Sequence, residues 1–310
     1  MHTPSLTALR CLDACARLHS FTRAAAEMHL TQGAVSQQIL GMERLLGVTL
    51  FTRKRTGLAL TVAGRSYWNE THSAVRQIER ATQNILTHQG TGGLFNLCVA
   101  SSFGTYWLMP RLSGFVSAHP EITLNLATRV GPVDFVTEPF DAAIVYGDGA
   151  PVAGLTKVAM MPLRLRAYVS RTLFEARGVR KTKPIARLLR DLPLIRHTTV
   201  PDAWAGWFAQ SGVAAPNDGL SHTDSGPQYD LLSMALNAVI AGLGVALLPD
   251  YMAERAVQDD QIVRLSEHAW ESSQGYYLQY PSANETSVVL RHFAQWVVAQ
   301  ALANTGASAD

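Results

Sequence analysis

Ser20–Gly64, which reads SFTRAAAEMHLTQGAVSQQILGMERLLGVTLFTRKRTGLALTVAG, carries the strongest structural signals in the first part of the chain. It predicts two short helices joined by a tight turn at His29-Leu30. Ser20 and Thr31 are good N-terminal caps, and Gly47 is a good helix stop. The apolar positions of the second helix follow helical spacing: Ala34, Val35, Ile39, Met42 and Leu46.

The other face of the second helix is uncharged and polar at its start, where it carries Gln32, Gly33, Ser36 and Gln37. Such groups suit a helix whose N-terminal end enters the DNA major groove and reads base edges. Thr31, just before this helix, is expected to contact the DNA backbone. Residues 51–60 then predict a hairpin that carries three adjacent cations: Arg53, Lys54 and Arg55. A basic hairpin of this kind suits contact with DNA phosphates.

Each of these features taken alone also fits a small helical core with a solvated basic loop. Together and in this order, they resemble the winged helix-turn-helix of the LysR-type transcriptional regulators. The matching phrases are LTALR, SFTRAAAEMHLTQGAVSQQI, MERLLGVTLFTR and LTVAG. The SQQI variant and the later DAAIVYGDG are most similar to the branch that contains the glycine-cleavage and beta-lactamase regulators.

The resemblance implies a cytoplasmic DNA-binding transcription regulator that is controlled by a small-molecule effector. It also implies homodimers or homotetramers on double-stranded promoter or operator DNA, with RNA polymerase as a further partner. Many family members carry Arg where Gln37 stands and Pro or Ser where Gly33 stands. Because Gln favours adenine contacts and Arg favours guanine, the operator of a relative cannot be transferred to this chain.

Composition and charge agree with a folded protein that meets a polyanion at its front end. The chain has 310 residues, of which 47% are hydrophobic and 16% are charged. Residues 1–90 hold ten Lys/Arg against five Asp/Glu, whereas the remainder holds 16 against 19. The basic N-terminal part is therefore the part predicted to bind DNA. From the length, we expect two or three domains.

The three cysteines indicate a reduced compartment, because they lack the spacing of a redox pair or a zinc site. Cys11 and Cys15 lie one helical turn apart, which fits core packing better than metal ligation. We see no run of about 20 apolar residues and no export signal, so we expect no membrane contact and a cytoplasmic protein.

Three domains are predicted. Residues 1–62 form the winged helix-turn-helix, and 63–90 form a linker helix with a thin heptad seam that a second copy would complete; the alternative is a helix lying on its own domain. A glycine-rich hinge at 89–93 leads to a regulatory domain over 91–310. There, short apolar runs alternate with helices, which predicts parallel βαβ units. The resemblance implies a two-lobed α/β domain of the type 2 periplasmic-binding-protein fold, with lobe I at about 91–161 and 266–303 and lobe II at about 162–265.

The crossovers between the lobes are expected near Pro162-Leu163 and near Val263-Leu265. Candidate effector-binding residues lie mainly at strand ends, because open α/β sheets bind ligands there. These residues are Ser101, Ser102, Thr128, Arg129, Tyr146, Arg196, His222, Thr223 and Val245. The serines and arginines point to an anion, although neutral ligands use the same positions. The alternative is that Ser102 caps its own helix and that Arg129 is solvated.

Other function classes find little support. No GxSxG elbow, paired-cysteine motif or metal-binding helix is present, so we expect no enzyme, no cofactor and no metal site. His197 and His222 have no second-ligand spacing, and the tryptophans Trp204 and Trp207 fit packing better than a binding cage. The main competitor is a small-molecule binding or transport module whose N-terminal helices serve only for dimerisation.

Overall fold

Short helices and one hairpin open the chain. The computed structural model describes residues 3–54, 57–88, 93–176, 185–215 and 226–306. It divides into two compact units, residues 1–94 with 134–139 and residues 95–133 with 140–310. The elements of the first are α1 (Leu6–Leu18), α2 (Phe21–Glu27), α3 (Gln32–Leu46), β1 (Phe51–Lys54), β2 (Gly57–Leu60) and α4 (Val62–His88).

The predicted caps of the two-helix motif are confirmed. The Ser20 hydroxyl accepts the Arg23 N–H at 3.3 Å, and the Thr31 hydroxyl accepts the Ala34 N–H at 3.2 Å. Gly47 ends α3 in the left-handed region with φ 70°. Each cap satisfies backbone groups that a helix end leaves unpaired, which is why these residues fix the helix bounds.

The core of the first unit joins α1 to α3 and to the hairpin. Cys11 and Cys15 are fully buried in it, so the prediction of core cysteines is confirmed. Burial raises the pKa of the Cys15 thiol to about 12. These thiols are therefore neutral packing groups.

The Asp13 carboxylate provides one of the links between helices α1 and α4. Asp13 accepts hydrogen bonds from the Trp68 indole N–H at 3.0 Å and from Arg17 at 2.9 Å, and it contacts Nδ1 of His72, which is 2% exposed. Burial alone would raise the pKa of Asp13, but the bonds from His72, Arg17 and Trp68 outweigh burial and lower it. Asp13 therefore stays ionised between the two helices.

The second unit begins with β3 and ends in a long helix. Its elements are β3 (Gly93–Ala100), α5 (Ser101–Phe103), a π-helical turn (Gly104–Leu108), α6 (Met109–Ala118), β4 (Ile122–Arg129), β5 (Ala142–Gly147), β6 (Leu155–Ser170), α7 (Arg171–Ala176), α8 (Ile185–Asp191), β7 (Leu194–His197), α9 (Ala203–Ser211), β8 (Gln228–Tyr229), α10 (Leu232–Ile240), β9 (Val245–Leu248), α11 (Asp250–Gln258), β10 (Ile262–Arg264), β11 (Trp270–Pro281), a 3₁₀ turn (Ser282–Asn284) and α12 (Val288–Gly306).

Two long antiparallel strands hold this unit together. The strands of the described residues pair in the order β4-β3-β5-β11-β6-β9-β7-β8, and β10 also pairs with β6. β6 runs beside β11 from Leu155 to Leu165 and then beside β9 from Arg166 to Val169. The single strand β6 thus joins the part of the sheet formed by β4, β3, β5 and β11 to the part formed by β9, β7 and β8.

Several expectations about this sheet need correction. β3 with β5 and β7 with β8 and β9 are parallel, whereas β11 pairs antiparallel with both β5 and β6, so the sheet is mixed. The apolar runs of the sequence predict neither the first half of β6 nor helix α8. They do predict a strand at 220–223, which lies outside the described residues. The stretch near Val263-Leu265, expected as the second crossover, leads from β10, which pairs with the end of β6, into β11, which runs back beside the first half of β6.

A tight helix start lies directly after β3. A side chain at Gly104 would place its Cβ 2.7 Å from Cγ1 of Val99, so only glycine lets the π-helical turn pack against that strand. π-Helical turns are rare and often lie at functional sites.

Trp204 and Trp207 are buried, as predicted for packing residues. Among the described residues, no helix combines the length and the apolar character that crossing a membrane requires.

Candidate functional site

The N-terminal end of α3 presents a polar face. Gln32, Gly33 and Gln37 are exposed and Ser36 is half-buried, while Val35, Ile39 and Met42 on the opposite face are buried. The core thus fixes the rotation of α3, and this rotation points the predicted base-reading residues outward. Thr31 precedes them, and because its oxygen accepts the cap bond, its own O–H remains a donor.

The predicted hairpin forms from β1 and β2, which pair antiparallel. Arg53 pairs with Leu58 and Lys54 pairs with Gly57 on the neighbouring strand. The Leu58 N–H donates to the His19 carbonyl at 3.3 Å, which anchors the hairpin to the end of α1. Arg55 lies outside the described residues. The backbone of β1 therefore places Arg53 and Lys54 next to the hairpin tip.

A cavity of about 540 Å³ lies within the second unit. Four predicted effector-binding residues line it: Ser101, Ser102, Arg129 and Tyr146. They come from the ends of β3, β4 and β5, which agrees with the rule for ligand sites in α/β sheets. The volume falls within the range of small-molecule sites.

Ser102 connects two helix starts across this cavity. Its hydroxyl oxygen accepts the Ser233 N–H at 3.1 Å, near the first residue of α10, and its side chain is buried. No side-chain cap bond is made at the start of its own helix, α5. The alternative of a simple cap for α5 is therefore wrong, because the serine closes the N-terminus of α10 instead.

His197 enters the cavity with one defined tautomer. Its Nδ1 accepts the Thr199 N–H at 3.3 Å and lies 2.7 Å from the Thr199 hydroxyl, so Nδ1 carries no proton. Nε2 is therefore the protonated nitrogen, and it is buried near the Asp230 backbone without a hydrogen bond of standard geometry among the described residues. Burial lowers the pKa of His197 from its ordinary 6.5 to about 4, and Asp230 opposes this effect only partly. The cavity thus holds a neutral N–H donor.

The half-buried Tyr146 and the buried Tyr276 line another side of the cavity. The Tyr146 hydroxyl lies 2.7 Å from Oγ of Ser272, and the Tyr276 hydroxyl lies 3.1 Å from that of Tyr251. Burial raises the pKa of Tyr146, and it raises that of Tyr276 to about 12. These phenols are therefore neutral hydrogen-bonding groups at physiological pH.

Side chains of both charges line the cavity. Arg129 and Lys157 line it together with Asp230. Lys157 donates to the Ala150 carbonyl at 2.7 Å, which holds the ammonium at the cavity wall. Most of the remaining lining is apolar and includes Phe103, Ile144 and Leu163. The arrangement can bind a small molecule with an apolar body and polar or anionic ends.

The structure places three predicted residues away from this cavity. Thr128 and Arg196 each precede a residue that does line it, Arg129 and His197, and successive side chains of a strand point to opposite faces. The Arg196 guanidinium instead lies 3.2 Å from Oε1 of Gln228. Val245 is fully buried at the amino end of its strand, not the carboxyl end.

Two further predicted residues, His222 and Thr223, lie outside the described residues. Sequence reasoning also missed lining residues on the two long antiparallel strands, among them Lys157, Gln274 and Gln279. The strand-end rule does not reach them, because they lie along β6 and β11 and not at the ends of parallel strands.

Comparisons with known proteins agree with both halves of this description. Residues 6–65 match the family described as "Bacterial regulatory helix-turn-helix protein, lysR family", and residues 88–302 match "LysR substrate binding domain". The chain is 33% identical over 304 residues to the glycine cleavage system transcriptional activator of Escherichia coli strain K12, covering 97% of this chain and 95% of that protein.

Two more relatives come from the beta-lactamase regulators. The carbapenem-hydrolyzing beta-lactamase transcriptional activator of Enterobacter cloacae is 28% identical over 94% of this chain and 95% of its own length. The effector domain of AmpR of Pseudomonas aeruginosa superimposes with a TM-score of 0.59 at 27% identity, over 70% of this chain and all of that one. The predicted branch is thereby confirmed. The chain belongs to the LysR family, as a transcriptional regulator with a helix-turn-helix DNA-binding domain and an effector-binding domain.

Proposed function

We propose that this regulator reads promoter DNA with the start of α3 and that a small molecule in the 540 Å³ cavity controls it. The observation that carries the proposal is the exposure of Gln32, Gly33 and Gln37 on a helix whose opposite face is buried. A rigidly held, uncharged polar face at a helix N-terminus matches the chemistry of the major groove.

Within the DNA contact, we divide the residues by role. Gln32, Ser36 and Gln37 would contact base edges, and Gly33 would allow the backbone to approach closely. Thr31 and the cations Arg53, Lys54 and Arg55 would contact phosphates. The glutamine amide can bond adenine through N6 and N7, so the preferred operator should contain A·T pairs at the Gln37 position.

For the effector, the cavity offers donors on several sides. The Ser101 and Ser102 hydroxyls, Nε2 of His197 and the cations Arg129 and Lys157 all suit oxygen atoms of a ligand. The apolar lining suits a carbon skeleton between them. We therefore favour a small organic anion, while a neutral polyol or amide would use the same donors.

For the assembly, we propose a homodimer through α4, and a tetramer as a pair of such dimers. Ile78 on this helix is 48% exposed, and Ala74 and Ala81 of the same predicted seam are exposed as well. A second copy of α4 would bury them. Two reading helices about 34 Å apart would then meet successive major grooves, with the cytoplasm as the place of action and RNA polymerase as a further contact. We retain residues 1–62, 63–90 and 91–310 as proposed domains.

Fluorescence anisotropy on the DNA upstream of the chain's own gene tests this function. Gln37→Ala should weaken binding to that DNA by about 1–3 kcal/mol and change binding to random DNA little. Gln77→Ala, which removes an exposed glutamine from α4, is the matched control and should bind like the wild type. Equal loss on both DNAs would contradict base reading.

The hairpin has its own readout. Arg53→Ala should weaken binding to all DNA alike and flatten the slope of log affinity against log salt by about one. An unchanged slope would remove this residue from the phosphate contacts. Absence of any salt-dependent DNA binding by the wild type would overturn the proposal as a whole.

A further inference from the structure

Two histidines and a glutamate meet at the turn between α6 and β4, outside the cavity. His119 and Glu121 come from this turn, and His292 comes from α12. One potential ligand atom of each lies within 4.8 Å of those of the other two. We propose that these three side chains form a binding site for a divalent transition-metal ion of the zinc class.

The separations suit one ion. Two ligands that each lie about 2.0–2.1 Å from a tetrahedral ion are roughly 3.4 Å apart. Nδ1 of His119 and Oε1 of Glu121 are already 3.2 Å apart. Since no separation in the cluster exceeds 4.8 Å, a small side-chain rotation brings the His292 nitrogen into the same coordination sphere.

Backbone and aromatic contacts hold the first histidine in place. The His119 N–H donates to the Phe115 carbonyl at 2.9 Å, and the His119 carbonyl accepts the Ile122 N–H at 3.0 Å. The His119 ring lies 4.9 Å from the Phe115 ring and 4.6 Å from the His292 ring. A site whose ligands are oriented before binding loses less entropy when the ion enters.

The donor set selects the class of ion. Imidazole nitrogens suit zinc, nickel, copper and cobalt, whereas magnesium and calcium prefer oxygen ligands throughout. Three protein ligands leave a coordination position for water or another donor. All three side chains are half-buried, so an ion could enter from solvent without unfolding the domain.

The charge state of the carboxylate also favours a cation. The Glu121 N–H, followed by the contact with His119, lowers the pKa of its side chain despite some opposition from burial. A glutamate with an ordinary pKa is already ionised at neutral pH, and the ionised carboxylate is the form that binds a metal ion. An ion at this position would join α12 to the turn before β4, and these elements are far apart in sequence.

Isothermal titration of the full-length, tag-free protein with Zn²⁺ tests the site. We expect one ion per chain, with affinity reduced by at least about tenfold in Glu121→Gln and in His292→Asn. His29→Asn is the matched control, because it removes an exposed histidine whose φ of 53° asparagine tolerates well. This control should bind like the wild type.

A second measurement separates binding from folding. Thermal melts in chelator should be alike for the wild type and the three variants, and Zn²⁺ should raise the Tm of the wild type and His29→Asn only. Co²⁺ in place of Zn²⁺ should give visible absorption that both site variants lose. Absence of saturable binding, or equal affinity in the wild type and both site variants, would overturn the site. DNA binding plays no part in either measurement, so this proposal and the proposed function fail independently.

Discussion

Replacing His197 by asparagine should change how the stability of the effector-binding unit depends on pH. Burial lowers the pKa of His197 from 6.5 to about 4 in the folded protein. Between these pH values the unfolded chain binds a proton that the folded chain rejects. The free energy of unfolding therefore falls as the pH is lowered through this window, and it is unaffected by His197 above it.

The magnitude follows from the two pKa values. Lowering the pH from 7 to 5 should cost the wild type about 2 kcal/mol through His197 alone. In His197→Asn the side-chain oxygen can accept the Thr199 N–H in place of Nδ1, and no titrating group remains. The loss of stability between pH 7 and pH 5 should therefore be smaller in this variant by about 2 kcal/mol.

Urea unfolding followed by tryptophan fluorescence measures this difference. Five of the six tryptophans lie beyond residue 94, so the signal reports mainly on the effector-binding unit. His29→Asn, at an exposed position, should keep the pH dependence of the wild type. If the wild type and His197→Asn lost equal stability between pH 7 and pH 5, the buried neutral imidazole would be refuted.

Three further predictions concern the DNA-binding unit and its linker helix. Asp13→Asn removes the charged acceptor shared by His72, Trp68 and Arg17, and should lower the free energy of unfolding by about 1.5–3 kcal/mol in urea titrations at pH 7; an unchanged midpoint would contradict it. Gly64→Ala would place a Cβ 2.1 Å from the Leu50 carbonyl oxygen and should destabilise by about 1–3 kcal/mol, opposite in sign to the usual effect of alanine in a helix; a higher Tm would show the contact to be soft. Ile78→Glu should raise the dimer dissociation constant at least about tenfold in sedimentation equilibrium, because it replaces an apolar side chain that the second copy would bury with a charged one; an unchanged constant would remove α4 from the interface.

The sequence determined the DNA-binding motif almost completely, because its signals are local. Each helix bound there depends on a cap or stop within a few residues, as Ser20, Thr31 and Gly47 show. The buried face of α3 follows from helical spacing alone, and rotation of the helix then decides that Gln37 is exposed. Short-range chemistry therefore sufficed for this part of the chain.

In the effector-binding unit, the sequence located the strand ends but not the side chains that face the cavity. Alternation along a strand decides that Arg129 and His197 line it while Thr128 and Arg196 do not, and one residue of error reverses the answer. The antiparallel crossover by β6 and β11, which brings Lys157 into the wall, depends on pairing between residues over a hundred positions apart. Only the tertiary structure could decide such contacts, since neither the hydrophobic pattern nor residue spacing encodes the partner of a distant strand.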